Sequence, residues 1–383
     1  MDQTLVPECP PLPGKLIFRA ILGSRAYGTS TPESDTDVRG IFLPAKDYLL
    51  GFNKNVRQIE SGKPGKHSGD RAKPDAETCI YALQQFMALA VKSNPNVLEI
   101  LWAPNECVLD ITPEGEKLRD RRAEFLSRTA KNSYTGYAFA QIHRIRTHRK
   151  WLFNPPSAPP ERKNYGLPTG DKLVSREQVG AFYVTLAHML RNIAEQRHLH
   201  KLVLEIVEAE EFPGWEGIVQ RQGIPDAPMS AVQVLTGATS NFIEALQKEQ
   251  AYYRAADEWS KYQDWVKNRN PERAELERRF GIDSKYLSHL VRLMNSGVEI
   301  MTTGKLSVRR PEAEQLLAIR RDGIWLDGTP ITPDRFDEFV AWAREREEEM
   351  EKLFHSDACP LPRKPNINKL DDLCVELSES MLG

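Results

Sequence analysis

The chain has 383 residues, 40% of them hydrophobic, enough for two or three domains each with its own core. Its 52 basic and 54 acidic side chains leave a net charge of −2, so no global cationic field marks a nucleic-acid binder, and any such surface must be local. No apolar run reaches the ~18 residues of a membrane span, the start "MDQTLVPECPPLPGK" lacks the basic and apolar stretches of a signal peptide, and five scattered cysteines without a CxxC pair (Cys9, Cys79, Cys107, Cys359, Cys374) support neither a disulfide framework nor a zinc site, so a reducing cytoplasm is expected.

Residues 1–14 are Pro-rich and read as irregular. "KLIFRAI" (15–21) and "DVRGIFL" (37–43) are β-branched or aromatic and read as strands, as do "NVRQIE" (55–60) and "AETCIYAL" (76–83). A polar Gly/Pro/Lys loop separates the last two. "LQQFMALAVKS" (83–93) has helical spacing, with Asn94, Pro95 and Asn96 expected to close it as a C-terminal turn. "VLEILWA" (97–103) resumes the apolar pattern, with Glu99 as a buried polar anchor. This describes an α/β head over 15–110. Residues 111–355 read as a mostly helical domain. Helical periodicity runs over 176–212 and 229–269, after a Pro-rich connector at 153–168. "DSKYLSHLVRLMNSGVEIMTTGK" (283–305) is a capped helix, with Asp283 or Ser284 as N-cap and Gly304 as the stop. "PDRFDEFVAWAREREEEMEKLF" (333–354) is amphipathic and charge-laced. The tail, 356–383, is expected to dock. No internal repeat is visible. The fold class is α+β: a mixed-sheet head followed by helices, with the working cleft between them.

The stretch "LGSRAYGTSTPESDTDVRG" (22–40) carries the chemistry. A strand that ends in Gly-Ser and turns into a helix exposes backbone N–H groups, an arrangement that suits phosphate. Gly23 allows close approach and Ser24 offers a hydroxyl. Asp35 and Asp37 follow after ten intervening residues and alternate toward one face of the next strand. Two such carboxylates repel unless a cation lies between them. Hard divalent ions such as Mg²⁺ take oxygen ligands and share them with substrate phosphates. Phosphate cradle plus carboxylate pair points to metal-assisted nucleotidyl transfer. The plain alternative is a loop followed by solvated aspartates.

That conjunction resembles the nucleotidyltransferase superfamily of DNA polymerase beta. "GSRAYGTSTPESDTDVRGIFL" is similar to the RNA-repair-pathway DNA polymerase beta family of nucleotidyltransferases, found in bacteria and phages. Further similar blocks are "LQQFMALAVKSNPNVLEILWAP", "GYAFAQIHRIRTHRKWL", "YGLP", "DSKYLSHLVRLMNSGVEIMTTGKLSVRRPEAEQLLAIR" and "LPRKPN". The resemblance implies that Gly23 and Ser24 hold a nucleoside triphosphate (NTP) and that Asp35 and Asp37 bind Mg²⁺ or Mn²⁺. It also implies a third carboxylate on a nearby strand, binding metal and drawing the proton from the attacking hydroxyl. Asp75 and Glu77 share a strand face. Glu77 fits the spacing of the family block, where aspartate is commoner, and Asp75 stays open. The family name implies an RNA 3′ end as acceptor.

Other residues allow two readings each. Arg25 can contact the triphosphate or pair with Glu33 or Asp37. Tyr27 can stack on a base or pack. Lys285, His289 and Arg292, at i, i+4 and i+7, make one helical stripe that can meet a triphosphate or RNA backbone, or stay solvated; the resemblance favours Lys285 and His289 for the NTP. His143, Arg144, Arg146, His148, Arg149 and Lys150 beside Trp151 read as an RNA-backbone patch with a stacking group, or as a solvated face. His198 and His200 diverge by about 200° on a helix, against a metal site. Two rival functions remain: a transferase that modifies a protein or small molecule, and a non-catalytic RNA-binding or regulatory protein on a degenerate head.

Overall fold

The computed structural model describes residues 7–32, 34–61, 76–195, 238–269 and 271–382. Glu33, Asp75, His198, His200 and the loop after Ser61 lie outside the described residues, as does the expected helical stretch beyond residue 195.

Five strands form one mixed sheet: β1 (Gly14–Leu22), β2 (Thr36–Pro44), β3 (Gln58–Ser61), β4 (Ala76–Ala82) and β5 (Val108–Ile111), in the order β3-β4-β2-β1-β5. β2 runs antiparallel to β1 and parallel to β4, while β3 and β5 pair antiparallel at the edges. The strand expected over 55–60 is the shorter β3. β5, at the expected end of the head, was not expected; only three of its residues pair with β1.

Short helices line the head: α1 (Gly23–Tyr27), α2 (Lys46–Leu50), α3 (Leu83–Ala90), α4 (Pro95–Leu101) and α5 (Pro113–Asp120). Asn94 to Asn96 begin a helix rather than end one. The Asn94 side chain accepts from Asn96 N at 3.1 Å and Pro95 holds the first helical position. Asparagine as N-cap with proline after it is a start signal, because proline lacks only an N–H that has no helical partner there.

The remaining helices are α6 (Ala130–Phe153), α7 (Arg176–Glu195), α8 (Ser240–Asn268), α9 (Pro271–Phe280), α10 (Ser284–Thr303), the short α11 (Ala313–Leu317), α12 (Phe336–His355) and α13 (Ile367–Glu379). A π turn, Ala318–Asp322, follows α11. Asp283 caps α10, accepting from Tyr286 N at 3.1 Å, and Gly304 ends it at φ +66°.

The boundary expected near residue 110 does not divide the structure. Met1–Leu152 and Asn270–Gly383 make one compact unit, and Phe153–Arg269 make a second. The reason is packing. Phe86 of α3, Tyr134 of α6, Leu290 of α10 and Phe339 of α12 belong to one buried cluster with Ile17 and Val38 of the sheet. The tail joins the same cluster through Leu370, Leu373 and Leu377. In the second unit, buried Glu249 accepts from the Arg162 guanidinium at 2.7 and 3.0 Å and from Leu173 N at 2.8 Å. Phe182 meets Phe242 there, ring centroids 5.5 Å apart. Among the described residues, no helix is long and apolar enough to cross a membrane.

Candidate active site

β1 runs straight into α1, so the Gly-Ser step sits at the end of a central strand. Gly23 has φ +62°, and a Cβ there would lie 2.2 Å from Asp37 Oδ2. Glycine is needed both for the backbone conformation and for the carboxylate beside it. β2 lies between β1 and β4, and its register places Asp37 opposite Leu22 on one side and Glu77 on the other. The Gly-Ser turn and two carboxylates therefore meet across three adjacent strands.

Arg39, two residues beyond Asp37 on the same face, reaches Asp37 Oδ1 at 3.5 Å and Glu77 Oε2 at 3.8 Å. Burial raises the Asp37 pKa; Arg39 opposes this, Asp35 and Glu77 add to it, and Lys285 opposes it. A carboxylate raised in this way gains from a cation. The donor set of Asp35, Asp37 and Glu77 is all oxygen, which fits Mg²⁺ or Mn²⁺.

Gly23, Ser24, Asp35 and Asp37 line a cavity of about 380 Å³, within the size range of small-molecule sites. Its other lining includes Arg144, Lys285, His289, Arg292 and Arg320. The stripe on α10 thus faces the carboxylates, but its members differ. Lys285 is exposed and His289 half-buried. Arg292 is buried, ion-paired with Glu99, and stands 4.0 Å over the Tyr27 ring. Tyr27 Oη donates to Glu99 Oε2 at 2.6 Å. Tyr27 is thus tied into a buried network, with burial raising its pKa well above the usual phenol value. Burial, then the charges of Arg292, Lys285 and Arg144, push the His289 pKa well below the ordinary imidazole value.

Arg25 does not line the cavity. Its Nη2 donates to the Ser34 carbonyl at 2.9 Å, and the Ser34 hydroxyl accepts from Thr31 N at 2.9 Å. Arg25 therefore fastens the turn that leads into Asp35, a structural role in place of the triphosphate contact and through the Ser34 carbonyl rather than Asp37.

The basic segment of α6 is not one uniform patch. His143, Arg144, Arg146 and Lys150 are exposed. Arg149 donates to the Pro333 carbonyl at 2.7 Å and lies 4.6 Å over the Phe336 ring. His148 Nδ1 lies 3.1 Å from Glu277 Oε1 and 3.4 Å from Asp283 Oδ2. Arg273 Nε donates to the same Asp283 oxygen at 2.8 Å. Histidine and arginine balance two carboxylates there, so the cluster is a charge-matched joint between α6, α9 and the start of α10. Trp151, expected as a stacking platform, is buried at 6% exposure with its ring 5.8 Å from His148.

Arg39, Arg144 and Arg320 are lining residues that site reasoning from the sequence missed. Period-two spacing from Asp35 and Asp37 could have found Arg39. Arg144 was visible as a cation but not as a pocket residue, and no local pattern marks Arg320.

Residues 7–201 match the RNA repair pathway DNA polymerase beta family. An uncharacterized 38.9 kDa protein encoded in the nrdC-mobD intergenic region of Enterobacteria phage T4 is 35% identical over 130 residues, covering 33% of this chain and only 38% of that relative. No solved structure matches. With more than half of its length matched, the chain belongs to the RNA repair pathway DNA polymerase beta family, a family of polymerase beta-like nucleotidyltransferases.

Proposed function

We propose that this protein is a cytoplasmic enzyme that transfers a nucleoside monophosphate from an NTP to an acceptor hydroxyl, with an RNA 3′ end as acceptor: the hydroxyl attacks the α-phosphate, loses its proton, and pyrophosphate leaves. The observation that carries the reading is the convergence of Gly23-Ser24, Asp37 and Glu77 across β1, β2 and β4; Gly23, Ser24, Asp35 and Asp37 line one cavity, and Glu77 stands beside Asp37 outside its lining. Asp35, Asp37 and Glu77 would hold Mg²⁺ or Mn²⁺, which when bound supplies charge neutralisation at the reacting phosphate. Gly23 leaves room for the Asp37 carboxylate against the turn, and the Ser24 hydroxyl is a donor for a phosphate oxygen. Glu77 Oε2, 3.8 Å from Arg39, is the candidate acceptor for the proton of the attacking hydroxyl. Lys285 and His289 bring a cation and an imidazole to the same cavity for the triphosphate. The family supports RNA as acceptor through its name.

The test is transfer from each of four α-labelled NTPs, with Mg²⁺ or Mn²⁺, to oligoribonucleotides with a 3′ hydroxyl. Bulk protein and the enzyme itself serve as competing acceptors. Label at the RNA 3′ end, lost in Asp37→Asn, is the expected result. Label on protein with RNA unlabelled would overturn the acceptor, and label that persists in Asp37→Asn would overturn the site.

A further inference from the structure

We infer that the cavity carries an anion subsite, built by Arg144 and Arg320 with the ring N–H of His289, that grips a phosphate group without a metal. Naming NTP or RNA as the phosphate's source rests on the function proposed above; the subsite itself does not.

The first support is the state of the two arginines. Both line the cavity. Arg144 has a neutral partner, Gln141 Oε1 at 3.4 Å, and lies 5.4 Å from the Tyr286 ring centroid. No ion pair joins either Arg144 or Arg320 to a carboxylate among the described residues. The buried arginines among the described residues instead bind protein acceptors. Arg292 pairs with Glu99, Arg310 with Glu299 and Glu312, and Arg128 binds three carbonyls. Arg320 is half-buried and Arg144 exposed, and each guanidinium is a planar fork suited to a phosphate's oxygens.

The second support is how Arg320 is presented. It stands in the π turn Ala318–Asp322, which ends at Gly323 with φ +67°. Two hydroxyls of α10 hold this segment. Ser284 Oγ donates to the Arg320 carbonyl at 2.7 Å and Ser288 Oγ to the Leu316 carbonyl at 2.9 Å. π turns re-aim side chains and recur at functional sites.

The third support is the tautomer of His289. Arg292 Nη2 lies 3.4 Å from His289 Nδ1. An arginine only donates, so Nδ1 accepts and the ring proton sits on Nε2. Arg144, Lys285 and Arg292 all act electrostatically on this ring. Glu99 balances the charge of Arg292, and an anion near Arg144 and Lys285 would be attracted by both.

The test is calorimetric titration of the full chain with sodium tripolyphosphate in EDTA at low salt, beside two further ligands. One is an NTP; the other is an oligoribonucleotide with and without a terminal phosphate. Wild type and the Asp35→Asn/Asp37→Asn variant should bind tripolyphosphate in EDTA. Arg144→Gln and Arg320→Gln should each weaken phosphate binding at least about tenfold, as for one lost charge-assisted contact. Arg→Lys at either site should fall between, since charge stays while the fork is lost. A loss confined to tripolyphosphate and NTP assigns the subsite to the donor; a loss confined to the phosphorylated oligoribonucleotide assigns it to the acceptor. Wild type that binds no phosphate ligand in EDTA would overturn the inference, as would a folded Arg144→Gln/Arg320→Gln variant with unchanged affinities. Absent transfer activity with intact phosphate binding would sink the proposed function and leave the subsite standing.

Discussion

Replacing Arg292 with methionine isolates the buried joint under the Gly-Ser helix. The pair is deeply enclosed, with side-chain exposures of 3% for Arg292 and 2% for Glu99. Removing one member of such a pair costs about 3–5 kcal/mol, because the other charge stays buried without its partner. The Tyr27 hydroxyl still donates to Glu99 at 2.6 Å, which offsets about 1 kcal/mol. The lost stacking of Arg292 over the Tyr27 ring, at 4.0 Å, removes about as much again. The expected loss therefore stays near 3–5 kcal/mol, or a melting temperature lower by about 6–10 °C at ~2 °C per kcal/mol for a unit of this size. Urea denaturation followed by circular dichroism measures it. The double variant Glu99→Gln/Arg292→Met removes both charges and should recover at least about 2 kcal/mol relative to Arg292→Met. A single variant within about 1 kcal/mol of wild type, or a double variant no better than the sum of the singles, would refute the assignment of a buried, desolvated pair.

Four further outcomes follow from the geometry. Asp37→Asn should abolish transfer yet melt in EDTA at or above the wild-type temperature. The raised Asp37 pKa means that its ionised form opposes folding at neutral pH, and Mg²⁺ should raise the melting temperature of wild type alone. Glu77→Gln should slow transfer at least about 10²-fold while Asp75→Asn costs little; the reverse ranking in a single-turnover assay moves the third-carboxylate role to Asp75. Burial alone would lower the His148 pKa, but its bonds to Asp283 and Glu277 outweigh burial and raise it. His148 thus adds stability that is complete below about pH 6.5 and is lost as pH rises through the folded-state pKa; His148→Gln should flatten the fall in melting temperature over that window, and an unchanged profile would refute the pairing. If the exposed part of α6 tracks RNA, Arg146→Gln and Lys150→Gln should each reduce the slope of log affinity against log salt by about 0.7, and an unchanged slope marks a solvated face.

What could be read from the sequence was what depends on near neighbours along the chain. Gly23, Ser24, Asp35 and Asp37 lie on the connection between β1 and β2 and at the start of β2, two strands consecutive in the chain that pair antiparallel with Leu22 opposite Asp37. The helix at 284–303 was legible for the same reason, since Asp283 caps it and Gly304 stops it within its own sequence. Glu77 was a choice between two positions, because nothing local says that β4 lies parallel to β2 with Glu77 in register with Asp37.

The stripe on α10 shows where periodicity runs out. Spacing puts Lys285, His289 and Arg292 on one helical face, yet one is exposed, one half-buried and one enclosed. What separates them is Glu99, 193 positions away in the chain, which draws Arg292 into the core. The same holds for the domain boundary. An amphipathic pattern states that a helix has an apolar side, but not which surface it covers. Here the apolar sides of α6, α10 and α12 and the sheet share one core, so the expected cleft between two domains is a cavity inside a single unit. That fixes how carboxylates and cations face each other. Their spacing is set by core packing rather than by a hinge, so core substitutions under α10, such as Leu290→Ala, should disturb substrate affinity as well as stability.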